Sequence, residues 1–270
     1  MWEFFKNIFR KIRYKLHYND VETKQLLLKI LEQQYQLQSN ISAKIDILKM
    51  MLLEPNGLNN IHFRYELIDA PAKYEHLFWE MPSDSVCIDC GGNIGLFSDM
   101  IISQGCQVHL FEPNPYLFSK LSWKYRNEPL IHLYNSAVGI RNGNVTFSMP
   151  EKINEDFLTW SESSVVKTEQ IDKECITSKS KDYEVECIRL TEFIEQLLIQ
   201  SNPIYILKLD VEGSEFEIIE DIIEKRLYKN ITHIFCETHE RFVVQGTEKL
   251  ERIKEKIASL GIENIYLDWI

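Results

Sequence analysis

From about residue 82 onward, short apolar runs alternate with segments whose apolar residues recur at helical spacing. The runs that we expect to form strands are Ser85–Asp89, Gln107–Phe111, Leu130–Val138, Ile204–Asp210 and Ile231–Glu237, with Asn264–Trp269 closing the sheet. The segments that we expect to form helices are Leu96–Ser103, Tyr116–Tyr125, Glu215–Arg226 and Thr247–Leu260. This alternation predicts an α/β fold with a Rossmann-like parallel sheet covered by helices on both faces. The strand C-termini then line one edge, where ligands bind.

The interval between residues 139 and 203 is too long for one crossover helix. Val145–Ser148 and Tyr183–Arg189 are predicted to be extra strands, and Thr191–Gln200 is predicted to be the crossover helix. A polar stretch at roughly 151–182 lies between the two extra strands. It has two interpretations, a lid or acceptor-binding element and a flexible surface insertion. We place the whole insertion at about 140–190.

The first 55 residues differ from the rest and are predicted to form a helical arm that precedes a domain over 56–270. Residues 1–20 combine basic side chains with apolar ones at spacings of three and four, the pattern of an amphipathic helix. Such a helix either contacts an anionic membrane surface or packs on protein. Residues 22–53 carry a heptad seam, which predicts either a coiled-coil homodimer or packing on the chain's own domain.

Charge and composition narrow the class of protein. The formal net charge of −11 argues against a nucleic-acid partner, because such proteins normally present a basic field. The cysteines lack a disulfide-type spacing, and the Cys87–Cys90 pair is interpreted as packing rather than as a redox or metal site. We find no membrane-spanning run and no signal-peptide pattern, so we expect a cytoplasmic protein that is membrane-associated if its arm binds lipid.

A glycine-containing loop directly follows the first predicted strand and opens the first helix. It reads Asp89, Cys90, Gly91, Gly92, Asn93, Ile94, Gly95. Glu112 ends the second strand, where a carboxylate can accept hydrogen bonds from the two ribose hydroxyls of a nucleoside. A dinucleotide fingerprint would need a glycine at Cys90, and Asp89 would repel a pyrophosphate. The same carboxylate suits the cationic methionine part of S-adenosylmethionine (SAM), so the loop favours SAM over NAD.

Five ordered segments resemble the FkbM-type methyltransferase family. They read VCIDCGGNIGLFS, HLFEPNP, NSAVG, IYILKLDVEGSEFEII and IFCETHE, within residues 84–242. The resemblance implies a class I SAM methyltransferase fold and O-methylation of a sugar, a glycan or a related small molecule. After the last helix there is room for about one strand, so the antiparallel hairpin that usually ends this fold is not expected.

The resemblance also implies which residues bind the cofactor. Glu112 matches the ribose-binding acid, Asn114 is expected to frame the adenosine, and Ser136 and Ala137 match the segment beside the adenine. The cofactor-binding residues that we predict are Asp89, Gly91, Gly92, Asn93, Gly95, Glu112, Asn114, Ser136, Ala137 and Asp210.

Methyl transfer to a hydroxyl requires positioning of the acceptor and removal of its proton. The groups predicted at the central strand ends are Lys208, Asp210, Glu212, Glu237 and His239. His239 is the first choice as general base because its ordinary pKa lies near neutrality, with Asp210 and Glu237 orienting it or binding acceptor. Glu215, at a helix start, is interpreted as serving the helix dipole. Asp210, Glu237 and His239 also suit Mg²⁺ or Mn²⁺, although the chemistry does not require a metal.

Two other functions compete with the methyltransferase hypothesis. One is an NAD-dependent oxidoreductase or epimerase, which the missing glycine at Cys90 disfavours. The other is a non-catalytic scaffold whose N-terminal arm recruits partners, which the acidic and histidine side chains at the strand ends disfavour.

Overall fold

The computed structural model describes residues 74, 77, 80–150, 165–167, 180–200 and 203–269. The predictions for the arm over residues 1–55 lie outside the described residues, and so does most of the polar stretch at 151–182. The membrane contact through residues 1–20 and the homodimer through residues 22–53 therefore stay predictions.

Six strands form the central sheet in the order β10-β9-β8-β1-β2-β3. All five neighbouring pairs are parallel. The strands are β1 (Val86–Cys90), β2 (Gln107–Phe111), β3 (Ile131–Tyr134), β8 (Ile204–Leu209), β9 (Ile231–Cys236) and β10 (Ile265–Tyr266). This order confirms the predicted α/β fold, since it is that of a Rossmann-like sheet whose direction of winding reverses between β1 and β8. A ligand crevice is expected outside the carboxyl ends of those two strands.

Helices cover both faces because each buried strand presents apolar side chains in both directions. The helices are α1 (Leu96–Ile102), α2 (Pro115–Lys124), α3 (Leu190–Gln200), α4 (Glu215–Glu224) and α5 (Gly246–Leu260). Ile88 of β1 packs with the apolar residues of α3, α4 and α5. Its neighbour Cys87 packs with those of α1 and α2. The α/β layers thus have a separate apolar core on each side of the sheet.

A second sheet contains the four strands β4-β7-β5-β6. They are β4 (Ala137–Gly139), β5 (Gly143–Pro150), β6 (Val165–Lys167) and β7 (Ser180–Arg189). β5 pairs antiparallel with β6 and β7, whereas β4 pairs parallel with β7. The insertion therefore has a sheet and a small apolar core of its own, which includes Phe147, Val166 and Val185.

The structure adds two details to the predicted strands. The run Leu130–Val138 holds the expected third strand as β3, which ends at Tyr134 in the central sheet, and Ala137 begins β4 in the second sheet. Strand β6 was not predicted, since its three residues pair only with the distant β5 and lie in a polar stretch. The expected single terminal strand is present as β10, parallel to β9.

Two further properties of the described residues bear on the class of protein. No helix among them has the length and apolar character needed to cross a membrane. Cys87 and Cys90 are free and buried, and Cys87 Sγ lies 3.6 Å from Met81 Sδ, which agrees with their interpretation as packing residues.

Candidate active site

The glycine loop after β1 turns sharply beneath the end of β8. Gly91 has φ +82°, and a Cβ atom added there would lie 1.8 Å from the carbonyl oxygen of Asp210. Only glycine permits both this backbone conformation and so close an approach of two backbone segments. Gly92 is constrained differently, since a Cβ atom there would lie 2.3 Å from Leu110 Cδ2. The loop sequence is thus required to bring the ends of β1 and β8 together.

Glu112 directly follows β2, and its carboxylate is held by the backbone of two loops. Oε2 accepts a hydrogen bond of 2.8 Å from the N–H of Asn93, and Oε1 accepts one of 2.8 Å from the N–H of Asn114. Each oxygen keeps a second lone pair that can accept a hydrogen bond from a ligand hydroxyl. Burial raises the pKa of Glu112 to about 8, against the opposing effect of these two hydrogen bonds.

Two more polar atoms beside Glu112 have hydrogen-bonding capacity to spare. Asn114 caps α2, where its Oδ1 accepts hydrogen bonds from the N–H groups of Tyr116 and Leu117. Its Nδ2 atom and the Oδ1 atom of Asn93 are buried and have no hydrogen-bond partner among the described residues. Buried polar groups are normally paired, so a donor and an acceptor beside a carboxylate fit a nucleoside ligand.

Asp89 is completely buried at the end of β1. Its Oδ2 accepts a hydrogen bond of 2.7 Å from the Ser98 hydroxyl, and its Oδ1 lies 3.5 Å from Lys208 Nζ. The carboxylate therefore contacts protein groups instead of facing open space. Its predicted contact with the methionine part of a cofactor stays a prediction.

Lys208 lies on β8 with its ammonium group between the two strand ends. Nζ donates to the carbonyl oxygen of Gly91 at 3.0 Å and to Asp210 Oδ2 at 2.9 Å. Burial alone would lower the pKa of Lys208, but Asp210 and Asp89 raise it above its ordinary value. These contacts let the Lys208 side chain hold the loop in place, and its predicted part in catalysis stays a prediction.

The predicted acidic and histidine residues do come together, beyond the ends of β8 and β9. His239 Nε2 lies 3.2 Å from Glu237 Oε1 and 3.3 Å from Glu212 Oε2. Ligand atoms of Asp210, Glu212 and His239 all lie within 4.8 Å of one another, a spacing that would also admit a divalent cation. This group of side chains (Asp210, Glu212, Glu237 and His239) is called the acidic cluster below.

Glu215 contacts the acidic cluster, and the sequence did not predict this contact. It is completely buried, and its Oε1 lies 2.8 Å from His239 Nδ1. The interpretation that Glu215 serves only the helix dipole is therefore wrong for this structure. Its position two residues after Gly213 was the available signal, because a carboxylate there can reach back to the N–H groups of the preceding turn.

Burial and neighbouring charges shift the pKa of the side chains in the acidic cluster. Burial alone would lower the pKa of His239, but hydrogen bonds to Glu215 and Glu237 raise it to about 12. Burial raises the pKa of Glu212 to about 9 and also raises that of Glu237. The cluster thus combines a histidine of raised pKa with two carboxyl groups whose pKa is also raised.

Ser136 is buried between β3 and β4, and Ala137, which begins β4, is buried too. The backbone N–H of Glu112 donates to the carbonyl oxygen of Tyr134, two residues before Ser136. The segment therefore lies next to the strand that carries Glu112, and its predicted contact with an adenine ring stays a prediction.

Comparisons with known proteins identify a methyltransferase family. The sequence model of the family described as "Methyltransferase FkbM domain" matches residues 89–262. "Methyltransferase 1" of Beauveria bassiana (strain ARSEF 2860) is 22% identical over 176 residues, which cover 62% of this chain and 70% of that protein. "Methyltransferase sdnD" of Sordaria araneosa is 24% identical over 214 residues, which cover 70% and 82%.

A solved structure is also similar, that of an S-adenosylmethionine dependent methyltransferase from Listeria monocytogenes. The identity is 14%, the TM-score is 0.23, and the match covers 48% of this chain and 80% of that chain.

Proposed function

Because the chain belongs to the FkbM methyltransferase domain family, we propose that it transfers the methyl group of SAM to a hydroxyl of a sugar, a glycan or a related small molecule. Methyltransferase activity follows from the family itself. The acceptor class and the O-methyl product are the proposal.

The residues around the glycine loop fit SAM. Glu112 has lone pairs for the ribose hydroxyls, and the unpaired polar atoms of Asn93 and Asn114 lie beside it. When bound, SAM supplies a methyl group on a sulfonium, which is an excellent leaving group. The protein then needs to align an acceptor oxygen with that methyl group and remove its proton.

One observation carries the proposal, namely that Lys208 contacts both the glycine loop and the acidic cluster. Its Nζ contacts both the carbonyl oxygen of Gly91 and the Asp210 carboxylate. Carboxylates therefore lie beside the place where a methyl donor would bind. Such groups accept hydrogen bonds from hydroxyls and can take up a proton, so they suit a polyhydroxylated acceptor.

The chemistry proposed here needs no metal ion, because a carboxylate can activate the hydroxyl directly. A divalent cation in the acidic cluster would be a second way to activate the acceptor. Assays with added EDTA, and with added Mg²⁺ or Mn²⁺, distinguish the two. We expect EDTA to leave the rate unchanged, and a loss of activity that Mg²⁺ restores would contradict the metal-free reaction.

Calorimetric titration with S-adenosylhomocysteine (SAH) tests the cofactor, with NAD titrated in parallel. We expect SAH to bind and NAD not to bind, and we expect Glu112→Ala to lose SAH binding while the control Glu255→Ala, exposed on α5, keeps it. Binding of NAD alone would instead support an oxidoreductase.

Transfer of labelled methyl from SAM to a panel of glycosides, oligosaccharides and polyhydroxylated small molecules tests the acceptor. Mass spectrometry and NMR of the product identify the methylated atom. An N-methylated, C-methylated or S-methylated product would contradict the acceptor class while leaving the family assignment intact.

A further inference from the structure

The orientation of His239 suggests a division of roles within the acidic cluster, provided that the proposed methyl transfer to a hydroxyl holds. His239 is 1% exposed, so its ring is enclosed by protein. Nδ1 lies 2.8 Å from Glu215 Oε1, and Nε2 lies 3.2 Å from Glu237 Oε1. Both ring nitrogens therefore face carboxylate oxygens at hydrogen-bonding distance.

An ionised carboxylate only accepts hydrogen bonds, so a ring that is hydrogen-bonded to an ionised carboxylate on each side carries a hydrogen on each nitrogen. The ring is then an imidazolium, which has no lone pair with which to accept a proton. The raised pKa of His239 agrees with this state. An enclosed imidazolium can hold neighbouring carboxylates in place, but it cannot act as the general base.

Glu215 contacts both the His239 ring and the backbone of the turn after β8. Its Oε1 also accepts a hydrogen bond of 2.9 Å from the N–H of Val211, and its Oε2 accepts one of 2.8 Å from the N–H of Gly213. The turn that it spans contains Glu212 at φ +60° and Gly213 at φ +115°. One buried carboxylate thus holds both the His239 ring and the turn that carries Glu212.

The side chains of the carboxylates are partly exposed, whereas the imidazole is enclosed. The exposed fraction of the side chain is 17% for Glu237 and 20% for Glu212, against 2% for His239. Asp210 is accessible too, but its Oδ2 is held by Lys208 at 2.9 Å. Because Lys208 already engages Asp210, Glu237 and Glu212 are the partly exposed carboxylates that an acceptor can reach without competing with an ammonium group.

Glu237 is the more rigidly placed of these two. It directly follows β9, and its N–H donates to the carbonyl oxygen of Leu209 at 2.9 Å, which continues the pairing with β8. Glu212 lies instead in the turn after β8 with a positive φ angle. Proton transfer requires a base whose position is fixed, and regular strands fix side chains more accurately than turns do.

We propose that Glu237 is the catalytic base of this chain and that His239 and Glu215 are positioning residues that aim its carboxylate. In the reaction, Glu237 takes the proton of the acceptor hydroxyl as the oxygen bonds to the methyl carbon. The carbon–sulfur bond breaks and its electron pair stays on sulfur, which yields an ether and a neutral thioether. The proton then passes from Glu237 to solvent.

Proton-detected ¹⁵N NMR of histidine-labelled protein at neutral pH tests the positioning roles without any acceptor. For His239, assigned by its absence in His239→Asn, we expect both ring nitrogens to carry a proton. Glu215→Gln keeps the side-chain shape but removes the charge, so the ring should lose one of its protons. A neutral His239 ring in the wild type would overturn the assignment, as would Mn²⁺ binding that is lost in His239→Asn.

Kinetics with the acceptor that reacts fastest in the panel test the base. For Glu237→Gln we expect kcat to fall by about 10²–10⁴-fold, the usual contribution of a general base, with an unchanged Kd for SAH. Glu212→Gln should lower kcat by less than about tenfold on the same scale, and Glu237→Asp should recover part of the activity. If Glu212→Gln costs more than Glu237→Gln, the base is Glu212 and the proposal is wrong.

These tests fail separately from the proposed function. If no O-methylated product forms with any acceptor, the proposed function fails, whereas the ring protonation of His239 still decides its positioning role. Circular dichroism and the Tm of each variant show whether it is folded, and Glu255→Gln on the exposed face of α5 is the control that should match the wild type.

Discussion

The Nζ atom of Lys208 lies 3.0 Å from the carbonyl oxygen of Gly91, so a side chain of β8 holds the backbone of the loop that follows β1. The same nitrogen contacts Asp210 at 2.9 Å and lies 3.5 Å from the buried Asp89. One cation therefore neutralises two carboxylates and joins the two strands between which the direction of winding reverses. The positions of the glycine loop and of Asp210 in the acidic cluster therefore depend on the Lys208 side chain.

Replacement of Lys208 by Met should destabilise the protein strongly. Removing one partner of a buried ion pair leaves an uncompensated charge and typically costs about 3–5 kcal/mol. We expect a loss of that size in the free energy of unfolding, measured by urea titration, together with weaker SAH binding. Lys225→Met is the matched control, since it removes a partly exposed ion pair with Glu195 that is worth about 0–1 kcal/mol. Equal losses in the two variants would contradict the role given to Lys208.

Gly91→Ala should abolish SAH binding, because the added Cβ would collide with the backbone of Asp210. We expect a loss of unfolding free energy of about 2–5 kcal/mol, which combines left-handed strain with overpacking. Gly261→Ala is the control, since Gly261 also has a positive φ but has nothing within 4 Å of the added atom. That variant should lose only about 1–2 kcal/mol and should keep its affinity for SAH. Calorimetry and urea titration measure the two effects.

The sequence predicted most of this architecture, because buried parallel strands are continuous apolar runs and the loop carries its own glycine pattern. It could not predict contacts that the tertiary fold alone creates. The pairing of Glu215 with His239 joins residues 24 positions apart in the chain. The division of residues 130–138 between two sheets depends on β7, because Ala137 pairs with Cys187, 50 residues further along. Local periodicity contains no information on either contact.

The pKa of His239, on which its choice as general base rested, also depends on tertiary contacts. That choice used the ordinary pKa of histidine, which holds for a ring exposed to water. Here the ring is buried among Glu212, Glu215 and Glu237, and its pKa rises to about 12. The side chains that the sequence names at the strand ends do lie close together, but their roles stay predictions, because the roles depend on which side chains solvent and acceptor can reach.

Asp221 should give the protein part of its resistance to acid. Burial opposes its ionisation, but hydrogen bonds from Arg189 and Thr191 lower its pKa below the ordinary value. A carboxylate with a lowered pKa in the folded state stabilises the fold above its unfolded pKa, and this contribution is lost as pH falls through its folded pKa. Asp221→Asn should therefore lower the midpoint of urea unfolding at pH 7, and the difference from the wild type should shrink towards pH 3. A difference that does not depend on pH would mean that the carboxylate charge is not the cause.

Cofactor affinity should depend on the ionisation of Glu112. Burial raises the pKa of this carboxyl group to about 8, so it is mostly protonated at pH 6.5 and mostly ionised at pH 9. The ionised form accepts hydrogen bonds from the ribose hydroxyls more strongly, because charge-assisted hydrogen bonds are roughly twice as strong as neutral ones. We expect the Kd for SAH to decrease as pH rises through about 8.

Glu112→Gln is the control, because its side chain cannot ionise and it should bind SAH weakly at every pH. Titration of SAH itself affects both proteins equally, so the difference between their pH profiles reports on Glu112. Calorimetric titration of both proteins across this range measures the effect. Parallel pH profiles for the two proteins would show that another group is responsible and that Glu112 is already ionised at pH 6.5.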